Sequence, residues 1–91
     1  MIKRNKLFGT KTRVTFCLPK DAPPGAVSVV GCFNEWEPGR HVLVPRSDGT
    51  RTITVKLEPG RYRFRYLATG GVWLDDDEAD RIDHEGGELV L

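Results

Sequence analysis

The chain has 91 residues, 38% apolar and 30% charged, with a formal net charge of +1 at pH 7. That length supports one domain with a thin core, and the composition argues against a disordered chain. No apolar run approaches the roughly 20 residues that cross a bilayer, and the clear positive excess of a broad nucleic-acid-binding face is missing, so neither a membrane nor a nucleic acid is expected as partner.

The charge is unevenly spread. The first twenty residues contain Lys3, Arg4, Lys6, Lys11, Arg13 and Lys20 and no acid, whereas the last twenty hold eight acids, from Asp75 to Glu88, against Arg81 alone. We expect residues 1–10 to form a basic arm outside the fold, disordered or laid against a neighbour. Residues 11–91 are expected to form a single β-sandwich domain. The basic start has no apolar block behind it and lacks the form of a secretory signal, which gives the cytoplasm as the expected location.

Period-two alternation dominates, and no helical period is sustained. "KTRVTFCL" puts Thr12, Val14, Phe16 and Leu18 on one face. After "PKDAPPG" comes the β-branched run "AVSVVG", read as the second arm of a hairpin with Leu18 opposite Ala26. That register separates Cys17 from Cys32 along the ladder, too far for the ~7 Å reach of a disulfide, so both read as free thiols in a reducing compartment. "HVLVPR" holds Pro45 and suits an edge strand. "TRTITVKL" sets Ile53, Val55 and Leu57 inward, and "RYRFRYLA" sets Tyr62, Phe64, Tyr66 and Ala68 against Arg61, Arg63, Arg65 and Leu67. "GVWL" and "GELVL" follow, with an acidic loop from Asp75 to Gly87 between them. About seven short strands separated by Pro/Gly turns predict an all-β, immunoglobulin-like antiparallel sandwich.

Catalytic chemistry finds no foothold. No Ser-His-Asp or Cys-His pattern stands out, and no glycine-rich phosphate loop opens a helix. The expectation is a non-enzyme without cofactor or metal. Counting a calcium loop from Asp75 puts Asp80 where glycine is required, and His41 and His84 read as surface residues rather than zinc ligands. The basic-aromatic run "RYRFRY" could suggest base stacking, but alternation sends the rings and the arginines to opposite faces.

Trp36 and Trp73 remain. Phe33 lies next to a strand and suits the core, and Asn34 suits a turn because its side chain can bond nearby backbone. Trp36 follows that turn, and Trp73 follows Gly70-Gly71 at a hairpin tip. An indole covers the C–H face of a sugar ring while neighbouring Arg, Asn or acid groups take its hydroxyl rim.

The order strand, "GCFNEW", strand, "EPGRYRFRYLATGGVW", acidic loop, final strand resembles the glycogen-binding domain of the AMP-activated kinase beta subunit. It is also similar to the early-set domains at the N-terminus of isoamylases and glycogen branching enzymes. Gly31, Phe33, Asn34, Trp36, Pro59, Gly60, Tyr62, Phe64 and Trp73 carry the resemblance. It implies a non-catalytic module for α-1,4-glucan, that is glycogen, starch or maltooligosaccharide. Trp36 and Trp73 would stack on glucose, and Arg65 would stand where the family has a sugar-bonding Lys. In "HEGGELVL" Gly87 or Glu88 replaces the family's Asn before the last strand, and no hooking Leu precedes it. The expected ligand-binding set is therefore Trp36, Trp73, Arg65, Asn34 and Glu88. The alternative is an early-set interaction module that has lost sugar binding and packs on a partner protein, such as a glucan-metabolising enzyme or a kinase.

Overall fold

Two alternating strands set the core. In β2 (Thr12–Pro19) Val14 and Phe16 are buried, and in β6 (Arg61–Ala68) Phe64, Tyr66 and Ala68 are buried. These faces meet: the Phe16 ring lies 5.1 Å from Phe64 and 6.2 Å, edge-on, from Tyr66. Such tilted and edge-on pairs suit the ring quadrupoles. Phe33 stacks on Phe16 at 6.0 Å and closes one end of the row.

The computed structural model describes residues 1–6, 9–21 and 23–91. The remaining strands are β1 (Ile2–Lys6), β3 (Val27–Gly31), β4 (Val44–Pro45), β5 (Thr50–Leu57), β7 (Val72–Leu74), β8 (Arg81–Asp83) and β9 (Gly86–Val90). Sheet I has the order β1-β2-β5-β4, and sheet II the order β3-β6-β9-β8, with β7 also on β6. All pairings are antiparallel, and the result is an immunoglobulin-like β-sandwich.

Several expectations need correction. β2 and β3 do not form a hairpin. They lie in different sheets, so the proline-rich link between them is an arch. Arg51, buried opposite Leu18, ties that arch by donating to the Pro23 and Gly25 carbonyls. Cys17 and Cys32 are free, as expected, although the hairpin register was not the reason. Residues 1–10 were read as an arm outside the fold, but Ile2–Lys6 form β1, paired with Thr12–Phe16; Leu7 and Phe8 of that arm lie outside the described residues. The acidic loop contains β8.

The segment 41–45 changes sheets. Val42 bridges to Ser28, with the Val29 N–H donating to His41 O and the Leu43 N–H to Val27 O. Val44 and Pro45 then pair with β5. Proline suits this edge, where no ladder donor is required.

On the other side of sheet II, β9 pairs with Arg61–Phe64 and β7 with Tyr66–Ala68, both along the same edge of β6. Arg65 sits where the two partners meet, and it is this join that positions the candidate site.

Candidate functional site

Antiparallel partners share a face, so Arg61, Arg63, Arg65 and Leu67 project outward from sheet II with Glu88 and Trp73, the partners of Arg63 and Leu67. Trp73 is 50% exposed. The hairpin before it turns at Gly70 and Gly71, with φ of 86° and 75°. Glycine adopts these angles at little steric cost.

Trp36 is presented differently. β3 runs into a 3₁₀ turn, Cys32–Asn34, and the next two residues, Glu35 and Trp36, have φ of 58° and 56°. Neither is a glycine, and the left-handed region costs roughly 1–2 kcal/mol per ordinary residue. Asn34 holds the turn. It is buried, its Oδ1 accepts the Gly31 N–H at 2.9 Å, and its Nδ2 donates to Val29 O at 2.9 Å and lies 3.0 Å from His41 Nδ1. The Trp36 N–H returns to Gly31 O at 2.9 Å. Gly31 has to be glycine, since a Cβ there would stand 2.3 Å from Arg63 O. Further on, the Gly39 N–H donates to Ser28 Oγ, and Ser28 is the outward-facing partner of Leu67. The connection carrying Trp36 therefore crosses the same outer side of sheet II. Trp36 is 38% exposed.

Arg65 lies in the join between β7 and β9. Its Nη2 donates to His84 O at 2.7 Å, and its Nε stands 3.3 Å from Asp75 Oδ1. Its stem lies against Gly86, where a Cβ would come within 2.9 Å of Arg65 Cγ and Nε. A guanidinium has five N–H donors, so most of them remain without a protein acceptor among the described residues. Gly87 is also crowded, though less so, its Cβ position lying 3.1 Å from both the Phe64 ring and Ala79 Cβ. A side chain at either glycine would require its neighbours to shift.

Two expected site residues have other duties. Asn34 was expected among the ligand-binding residues, but its polar atoms are committed inside the turn, so it positions Trp36 and does not face a ligand. Glu88 is mostly covered and pairs with Arg61 at 3.6 Å and Arg63 at 3.7 Å. Arg63 also binds Asp83 at 2.6 Å, and that hydrogen bond raises the guanidinium's pKa and lowers the carboxyl's.

Sequence reasoning did not find Asp75 and Gly86 as the supports of Arg65; the glycine pair 86–87 was the available signal. It also missed Asp76, which is buried and accepts the Tyr66 hydroxyl at 2.7 Å, the Met1 nitrogen at 2.9 Å and the Glu78 N–H at 2.9 Å. Burial alone would raise the Asp76 pKa, but these hydrogen bonds outweigh it and hold the carboxyl below its ordinary value. Asp76, Asp77 and Glu78 bring carboxylate oxygens within 4.8 Å of one another, although Asp76 is already occupied by these donors.

Trp36 and Trp73 are thus exposed indoles, Arg65 is an outward-facing guanidinium of sheet II, and no pocket forms among the described residues. A search of curated proteins returns no match to the chain. Residues 16–90 match the sequence model of the family described as the glycogen recognition site of AMP-activated protein kinase, and the chain belongs to that family.

Proposed function

We propose that this chain is a non-catalytic α-glucan-binding module that holds glycogen, starch or maltooligosaccharide on the outer side of sheet II. Trp36 and Trp73 stack on the C–H faces of glucose units, and Arg65 donates to ring hydroxyls from the join between β7 and β9. Glu88 acts mainly by fixing Arg61 and Arg63, and Asn34 by fixing the Trp36 turn.

The carrying observation is the Trp36 turn. Two consecutive non-glycine residues in the left-handed region keep a large indole 38% exposed, and strain of this kind concentrates at functional sites. A turn selected only for stability would place glycine at 35 or 36. The module would localise an attached or associated glucan-metabolising enzyme or kinase on the polymer. Two free thiols fit a reducing compartment such as the cytoplasm.

The test is electrophoresis through a native gel cast with glycogen. The wild-type protein should be retarded, and Trp36→Ala should run freely while keeping its far-ultraviolet dichroism. Wild-type mobility unchanged by glycogen, in a protein shown to be folded, would remove the glucan reading and leave the protein-interaction module.

A further inference from the structure

The outer faces of the two sheets carry opposite charge logic. On sheet II, Arg61, Arg63 and Arg65 each meet an acid. On sheet I, the register lines Lys3 up with Thr15 and Thr54, and Asn5 with Arg13 and Lys56. All of these point away from buried Val14 and Phe16. Arg46 joins them, its Nε donating to Thr52 Oγ1 at 2.9 Å. Among the described residues, Lys3, Arg13, Arg46 and Lys56 make no ion pair. Arg13 and Lys56 stand directly opposite each other across β2 and β5, and like charges at such a position are destabilising. An acid at either position would relieve the repulsion and keep the surface soluble. Asp48, at the β4–β5 turn, is bound to the Thr50 N–H and hydroxyl at 3.1 Å and 2.6 Å.

We propose that the outer face of sheet I docks an acidic segment of a partner protein, whose carboxylates bridge Arg13 and Lys56, with Lys3 and Arg46 as flanking cations. Thr15 and Thr54 share one hydrogen bond, at 2.9 Å, which leaves one hydroxyl proton for the segment. A single-stranded nucleic acid would need aromatic platforms, and both exposed indoles belong to the sheet II side. A membrane would need a cluster of apolar side chains to insert, and among the described residues the large exposed ones on this face are Val44 and Met1, on its two opposite edge strands. The inference is independent of glucan binding because it uses the opposite sheet.

The experiment is a titration of ¹⁵N-labelled protein with poly-L-glutamate, with poly-dT and phosphatidylserine vesicles in parallel. The expected result is amide shifts concentrated at Lys3, Arg13, Thr15, Thr54 and Lys56. Affinity should fall at least about tenfold between about 50 and about 300 mM salt. Arg13→Glu should weaken binding about tenfold or more yet raise Tm by a few degrees, since position 13 would then oppose Lys56 with the complementary charge. Lys56→Glu should do the same against Arg13, and glycogen retardation should be unchanged in both. Shifts centred elsewhere, unaltered polyglutamate affinity in both variants, or tighter binding of poly-dT or vesicles than of polyglutamate would each overturn the proposal.

Discussion

The turn bearing Trp36 and the hairpin bearing Trp73 present the same kind of ring by opposite means. The first uses ordinary residues in a costly backbone conformation, with a buried amide, Asn34, holding them there. The second uses two glycines that adopt positive φ freely, plus a short ladder to β6, and beyond Leu74 it is moored by a buried carboxylate, Asp76, on Tyr66. Position 36 is therefore rigid and strained, and position 73 relaxed and anchored by a titratable contact. Backbone strain marks the first as the principal platform, and the second, the more exposed ring, as the adjustable one.

The comparison breaks most visibly at Gly31. Gly31→Ala forces a methyl against a backbone carbonyl at the foot of the Trp36 turn and should cost about 3 kcal/mol or more, read from urea unfolding. The same change at Gly70, where a Cβ meets nothing within 4 Å, should cost only about 1 kcal/mol from its positive φ. Asn34→Ala leaves the Gly31 N–H and Val29 carbonyl without their buried partner and should lose about 2–3 kcal/mol. Glycogen retardation should weaken with it, because the turn loosens.

Next come the rings themselves. Trp36→Ala should weaken glycogen binding at least about tenfold and Trp73→Ala somewhat less, both with little change in stability, as expected for exposed aromatic anchors. A larger loss at Trp73 would reverse the ranking. One change should raise stability: Glu35→Gly should add about 1 kcal/mol by relieving one left-handed residue, while widening the range of Trp36 orientations.

Acid should separate the two platforms. Asp76 is held below the ordinary Asp value of 3.8, as are Asp80 and Asp83. A depressed folded pKa means stability that is complete above the unfolded value and lost as pH falls through the folded one. Stability should therefore hold down to about pH 5 and fall below about pH 4. In that range the amides of Val72–Leu74 should lose hydrogen-exchange protection before those of Gly31–Trp36, whose anchor Asn34 does not ionise. Asp76→Asn should abolish the difference.

Much of this was legible in the residues. Alternation in "RYRFRYLA" placed the rings and arginines on their correct faces, and Pro45 marked an edge. The spacing from Phe33 to Trp36 separated a core-packed ring from a solvent-facing one. The hairpin at Gly70-Gly71 was legible and pairs β6 with β7, but the partners of β2 and β3 were not, because those strands carry signals that suit either a hairpin or an arch. β1 escaped notice because "IKRNK" has one apolar residue and is ordered by its partner rather than by its own pattern. Asp76 could not be distinguished among eight acids. Only the buried Tyr66 hydroxyl, which needs a partner, selects it. Asn34 was identified as a turn former and also as a ligand contact, and the two roles compete for the same amide atoms.

The family match begins inside β2, at residue 16. A fragment trimmed to residues 16–90 would discard β1, the Thr12–Thr15 half of β2, and the Arg4 side chain that reaches across to Asp80 at 3.0 Å. It would uncover the flank of β5 and leave a raw edge suited to aggregation, so production of this domain should start from residue 1.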